Sequence, residues 1–294
     1  MKKNILAFTF TGISKITANY GENQGNISSI QKIYKNGRAY PMRSSESLKY
    51  TIFNLAGFYD NLKIDTSTKV ATKEVSDEIN LRNTPNLEGG YMSVGKQTKI
   101  RKSSIRITDA ISQTPFNGTT QFHNNLALAN KYAKDNNLNL QEKASECGLM
   151  PYEFEFDDNL KVFSVTVLFD IFGEDENFDI HLSKEEKKER LLLIVNAIKN
   201  LTFEVKGNLD NAEPLFAIGG LSDRATHVFE NMIKLEDNKV LISEELKIRS
   251  KDYHVGVRSD IFDNSNEIKT ELNATSIDEF FEIIKSEIEE YYQD

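Results

Sequence analysis

The chain has 294 residues, 39% hydrophobic and 28% charged, with a formal net charge of −9. This balance excludes a disordered, self-repelling chain, and no apolar run approaches the ~20 residues of a bilayer span, so no membrane partner is expected. Cys147 is the only cysteine, which excludes an internal disulfide; with no signal-peptide core after Met1-Lys2-Lys3-Asn4, a cytoplasmic location is expected.

The charge is uneven. Residues 1–107 hold 17 Lys+Arg against 8 Asp+Glu, a local +9; the remainder holds 19 against 37, a local −18. A polyanion responds to the local field rather than the net charge. The distribution predicts a basic N-terminal surface for nucleic acid and an acidic remainder facing solvent or a partner's basic patch.

Residues 4–17 read as a strand, with Leu6, Phe8 and Phe10 alternating with Ile5, Ala7, Thr9 and Thr11. A polar loop, Asn19 to Asn26, follows. Pro41 and the serines after it are expected to open a helix whose face is Leu48, Ile52, Leu55 and Tyr59. Residues 60–120 are polar and weakly periodic, as expected of a β-hairpin insertion with long loops. Phe122, Leu126, Ala129 and Ala133 suggest a short helix.

Residues 151–172 read as a hairpin that turns at Asp157-Asp158-Asn159. Ser183 and Glu186 form a capping box before a helix lined by Leu191, Ile194, Val195 and Ile198. Residues 203–222 read as a second irregular excursion. A short helix at 223–234 and a strand at 239–249, alternating Val240, Ile242, Leu246 and Ile248, are expected next. The last helix starts at Ser276, with Ile277, Phe280, Phe281, Ile284, Ile288 and Tyr291 as its buried stripe. The whole is an α+β pattern around one core, a single domain over 1–294 with insertions.

Catalytic signatures are missing from the sequence. His123, His181, His227 and His254 have no zinc-type spacing with one another or with Cys147. No glycine-rich loop ends in Lys-Ser or Lys-Thr. Gly173-Glu174-Asp175-Glu176-Asn177 reads as a solvated acidic loop more readily than as a cation site. No enzymatic activity and no cofactor are expected.

Three constellations carry binding chemistry. Arg43-Ser44-Ser45 stands at a helix start with Lys49 one turn on, where free N–H groups and the helix dipole favour an anion. Plain N-capping by Ser44 or Ser45 is the structural role open to the same residues. Lys96 to Arg106 holds five positive charges and no negative one, a ribbon able to track phosphates through Lys99, Arg101, Lys102 and Arg106, or else a solvated charge run. Gly219-Gly220 reads as a tight loop, with close backbone approach to a ligand as the functional option.

The stretch Thr17 to Ile30 through the Ser44–Lys49 helix resembles the DevR-type branch of the CRISPR Cascade backbone family. Ser104 to Ser112 with Phe122-His123-Asn124-Asn125 adds to the likeness, which covers most of residues 1–170. The resemblance implies a modified RRM-like (ferredoxin-like) palm with an inserted β finger at about 60–120 and a thumb at about 203–235. It further implies a type I-B Cascade subunit of antiviral defence, whose copies stack head to tail on the spacer of a CRISPR RNA beside other Cascade subunits. Target DNA is then recognised through pairing with the RNA.

By position, the resemblance implies RNA contacts at Ser44, Ser45 and Lys49, at Arg101 and Lys102 in the finger, and at Gly219 and Gly220 near the thumb; Arg43, Lys99 and Arg106 of the basic constellations and Asn19 and Asn26 of the polar loop are expected RNA contacts beside them. Glu46 stands where relatives often carry Gln; it cannot donate to phosphate, and capping is its expected role. Two other functions stay open: an RNA endonuclease of a type III-like effector using Asp109, and a nucleic-acid-binding regulatory protein.

Overall fold

The computed structural model describes residues 4–67, 69–94 and 98–293. Two-residue strands aside, the elements in chain order begin with β1 (Ala7–Lys15), β2 (Tyr20–Gln24), β3 (Ile27–Ile30), β4 (Lys32–Lys35), β5 (Arg38–Arg43) and α1 (Ser45–Leu55). Then come β6 (Tyr91–Val94), β7 (Thr98–Arg101), β8 (Ile105–Ile107), β9 (Ala110–Ser112), β10 (Thr120–His123) and α2 (Leu126–Asp135). They are followed by β11 (Tyr152–Glu155), β12 (Leu160–Leu168), α3 (Lys184–Lys199), β13 (Thr202–Val205), β14 (Asn208–Asn211) and β15 (Phe216–Ser222). The chain ends with α4 (Glu244–Ser250), β16 (His254–Val257), α5 (Ser265–Glu271) and α6 (Ile277–Gln293).

The architecture is mixed α+β with antiparallel sheets. The central sheet runs β16-β15-β1-β12-β9-β5-β4, with β8 also on β12, and every neighbouring pair is antiparallel. β1 is central because both its faces find cover, as strand alternation allows. Phe8 and Phe10 join Phe163, Val165 and Val167 of β12 in a core sealed by α1, α3 and α6. Ile13 faces the other way, into a second core with Phe216, Ile218, Val255 and Val257 under residues 228–272. Each fully buried aromatic here contributes about 1.5–3 kcal/mol by leaving water.

The helices obey their caps. Ser183 and Glu186 close a reciprocal capping box on α3. Ser276 accepts from Glu279 N at 3.2 Å before α6, and Ile277, Phe280, Phe281, Ile284 and Ile288 are buried as expected. On α1 the buried face is Leu48, Ile52 and Phe53, whereas Leu55 is 40% exposed. Pro41 lies in β5, opposite Lys32, so the helix opens at the serines alone.

Several expectations are corrected. Residues 151–172 do not form a hairpin, because β11 and β12 belong to different sheets. The Asp157 carboxylate is buried at the junction, accepting from Ala18 N at 2.8 Å and pairing with the buried Lys161 at 2.5 Å. It therefore anchors a crossover rather than a tight turn. The expected strand at 239–249 is instead a two-residue strand followed by α4, since Ser243 accepts from Leu246 N and starts a helix. Residues 223–234 contain turns and no helix.

The excursions are also more ordered than their polarity suggested. Residues 60–120 include the β6–β7 hairpin, but β8 and β9 within them are strands of the central sheet. Residues 203–222 hold the β13–β14 hairpin and then β15. A second sheet, β10-β11-β3-β2, takes two strands from residues 113–159 and two from the segment after β1, with β11 parallel to β3. Among the described residues no helix is long and apolar enough to cross a membrane.

Candidate nucleic-acid interface

The start of α1 is occupied by its own chain. Ser44 is the N-cap and accepts from Ser47 N at 3.3 Å. Ser44 N donates to Asn19 Oδ1 at 2.7 Å, and Ser45 N donates to Asp109 Oδ1 at 2.6 Å. Arg43 is buried: its Nε donates to Thr17 O and its Nη1 to Ser47 Oγ, each at 2.8 Å, and the guanidinium lies 4.1 Å from the centre of the Phe203 ring. Burial pushes its pKa down to about 10, against the pull of Asp210 and Asp157. Burial and these partners withdraw Arg43 from the expected grip, while Ser44 fills the capping role that the sequence left open to it. These groups fix β5, α1 and the loop after β1 to one another, and Asn19 is part of that scaffold.

The basic ribbon divides in the same way. Arg101 is buried and pairs with Glu88 at 2.8 Å, donating also to the carbonyls of Leu87, Ile171 and Glu174. Five donors with no remaining access to solvent make it an anchor of the hairpin, not a phosphate ligand. Lys99 sits 3.5 Å from the centre of the Phe178 ring and donates to Asn177 O. Lys102 and Arg106 are exposed. Lys96 and Gln97 lie outside the described residues.

Gly219 and Gly220 are not in a loop. Both are buried in β15, paired with Phe10 and Thr9 of β1. A Cβ on Gly219 would stand 2.2 Å from Thr9 O, so the glycine is needed for strand-to-strand approach. Asn26 is exposed at the β2–β3 turn, and its carbonyl accepts from Glu153 N.

Two of the expected cations do converge. A groove of about 480 Å³ is lined by Lys49 of α1, Ser103, Arg106 and Ile107 beside and within β8, Thr166 of β12, and His227 from the loop over the sheet. Lys49 pairs at 3.2 Å with Glu46, whose side chain is 81% exposed, an arrangement worth little in water. Arg106 forms no ion pair among the described residues.

Behind Thr166, which lines the groove, lies a buried row of hydroxyls: Thr11 with Ser164 at 2.8 Å and Thr9 with Thr166 at 3.4 Å. Thr9 and Thr166 also donate to Thr226 O, and Thr166 Oγ1 lies 2.8 Å from His227 Nδ1. Burial holds the His227 pKa below its ordinary value; Glu230 opposes this and Arg106 reinforces it.

Two cations on one groove, Arg106 without an ion pair among the described residues and Lys49 with only the exposed Glu46, suit a phosphate oxygen. His227 and Thr166 were missed from the sequence, being 61 residues apart and brought together only by the loop folding back on β12. Among the described residues no group of three His, Cys, Asp or Glu side chains is placed to hold a metal ion.

Comparison with known proteins agrees with this fold. One similar structure is a chain described as "CRISPR RNA-guided surveillance complex, pre-nicking", with 10% identity and a TM-score of 0.58, covering 97% of this chain and 99% of the other. A second, described as "CRISPR RNA-guided surveillance complex", has 12% identity and a TM-score of 0.53, covering 95% and 98%. At such identities the likeness is one of fold. No curated protein sequence matches. The profile of the family described as "CRISPR-associated negative auto-regulator DevR/Csa2" matches residues 15–241. That match spans well over half of the sequence, and the chain belongs to the CRISPR-associated DevR/Csa2 family.

Proposed function

We propose that the chain is a non-catalytic backbone subunit of a type I CRISPR Cascade complex. Copies bind head to tail along the spacer of a CRISPR RNA, beside other Cascade subunits, and the RNA recognises target DNA by pairing. The observation that carries this reading is the convergence of Lys49 and Arg106, 57 positions apart in the chain, on one groove. Family membership and a fold likeness along nearly the whole chain support it.

The sequence of elements β1-α1-β8-β12-α3-β15 is β-α-β-β-α-β, and in the sheet β1 and β12 lie between β15 and β8. This supports the ferredoxin-like reading of the palm. In such a subunit the protein holds phosphates, which position the strand, while the guide's bases stay free to pair.

The test is co-expression with a guide RNA, followed by sizing and analysis of the bound RNA. Wild-type protein is expected to carry RNA of uniform length. Lys49→Glu with Arg106→Glu should give protein without RNA; Arg106 is exposed and Lys49 half-buried, so circular dichroism of the double variant checks that the fold is kept. Milder Ala variants should lower the salt slope of binding by roughly 0.7 per lost phosphate contact. Wild-type protein that binds duplex promoter DNA and no RNA would favour a regulatory role, which the family's description names.

A further inference from the structure

The second sheet carries a feature that the groove does not use. Four rings form a row across its strands: Tyr20 on β2, Phe154 and Tyr152 on β11, and His123 on β10. His123 stacks on Phe154 at 4.4 Å between centroids and 25° between planes, and on Tyr152 at 5.6 Å and 21°. Tyr20 closes the row edge-on to Phe154 at 6.1 Å. None of the four belongs to a hydrophobic core cluster, and Tyr152, the end ring of the stack, is 42% exposed. The rings are therefore stacked at the surface, not sealed in a core.

The charge around them fits a polyanion. Lys206, at the β13–β14 turn, holds its ammonium 4.1 Å from the centre of the Tyr20 ring and 4.8 Å from that of Phe154. It forms no ion pair among the described residues. The neighbouring carboxylates are compensated: Glu155 by Lys32 at 2.5 Å, Asp157 by Lys161 at 2.5 Å, and Asp158 by Lys15. Glu153 alternates to the opposite face of β11, across from Phe122. A flat, half-open ring at the end of a stack matches an unpaired nucleobase, and the Lys206 ammonium at the Tyr20 end of the row suits a phosphate further along the same strand.

We propose that the Tyr20–Phe154–His123–Tyr152 row is a stacking platform for an unpaired base of a bound single strand, the base extending the stack at Tyr152. The proposal rests on the single-strand-binding reading above and adds a second, non-electrostatic contact to it. Asn26, one of the sequence-predicted RNA contacts, is exposed at the strand end, and its carbonyl accepts from Glu153 N, next to Tyr152.

The test uses the full chain with single-stranded RNA carrying 4-thiouridine, photo-crosslinked and mapped, alongside affinities of Tyr152→Ala, Tyr152→Leu and Tyr152→Trp. Crosslinks at Tyr152 or His123 are expected. Loss of the π face should weaken binding on the order of tenfold for all sequences alike. The salt slope should not change, because stacking releases no counterions. Tyr152→Trp should bind like wild type, whereas Tyr152→Leu, which keeps the apolar bulk, should be as weak as Tyr152→Ala.

Wild-type affinity in Tyr152→Ala and Tyr152→Leu, with crosslinks elsewhere, would overturn the platform. If Lys49→Glu with Arg106→Glu still abolished binding, the proposed function would survive that result. Failure of wild-type protein to bind any single strand would overturn both. Altered self-association of Tyr152→Ala without RNA, at unchanged RNA affinity, would make the face a contact between copies and also overturn the platform.

Discussion

Arg101 Nη2 lies 2.8 Å from Glu88 Oε2, and both side chains are buried. The same carboxylate accepts from Arg190 at 3.2 Å, Gly173 N at 3.1 Å and Ser104 Oγ at 2.5 Å. One buried charge thus ties the hairpin excursion to α3 and to the end of β12.

Arg101→Ala should therefore act on stability. Removing one partner of a buried pair costs about 3–5 kcal/mol, since the other charge is left enclosed. Arg101→Lys should lose most of this as well, because an ammonium cannot reproduce the planar fork. Lys102→Ala, at the adjacent exposed position, should stay within about 0.5 kcal/mol of wild type. Urea unfolding of the three variants checks the contrast. A fully stable Arg101→Ala would show that the anchor is dispensable.

Gly219→Ala should prevent folding or leave insoluble protein. The added methyl meets a backbone carbonyl on β1, which cannot turn aside as a side-chain tip could. Soluble expression and circular dichroism are the measurements. A folded, soluble Gly219→Ala that lost only RNA binding would restore these glycines to the nucleic-acid interface.

What the sequence revealed and what it hid have physical causes. β1, α3 and α6 were legible because period, cap and core face coincide within each segment, as with Ser183, Glu186 and Leu191. β15 was not, because Gly219 exists for a carbonyl 210 positions away, while locally a glycine pair reads as a turn. Arg43, Arg101 and Lys161 look like surface cations in a sequence. Only long-range partners, Phe203, Glu88 and the carbonyl of Ile16 among them, make them interior groups. Of the site, the cations Lys49 and Arg106 were legible by charge, but Thr166 and His227 required the loop to fold back on β12.

Asp109 separates two readings of the site. Its carboxylate accepts from Ser45 N at 2.6 Å, holding the first turn of α1 against the segment between β8 and β9. Asp109→Ala should lower stability by about 1.5–3 kcal/mol, the range for a hydrogen bond to a charged group. Bound complementary RNA should remain intact with magnesium or manganese in both proteins. Time courses with labelled RNA provide the check. Metal-dependent cleavage that disappears in a fully stable Asp109→Ala would establish the endonuclease alternative.

His227 makes the groove sensitive to pH in two opposite senses. In the free protein, burial and Arg106 hold its pKa below the ordinary value, with Glu230 opposing. Between that lowered pKa and about 6.5, the unfolded chain binds more protons than the folded one. The His227 contribution to stability is therefore complete above about pH 6.5 and is lost as pH falls through the folded pKa. A phosphate seated beside Arg106 reverses the preference, because an anion favours the imidazolium. The RNA complex should then take up a proton, and affinity should rise as pH falls from about 7.5 to about 6. Each unit by which RNA raises this pKa adds up to about tenfold in affinity. His227→Gln, which can still hydrogen-bond to Thr166, should abolish both trends. Fluorescence anisotropy at constant ionic strength gives the affinity, and urea unfolding across the same range gives the stability. A flat affinity profile in wild-type protein, beside the acid loss of stability, would place the phosphate away from His227 and move the grip toward the Lys49 end of the groove.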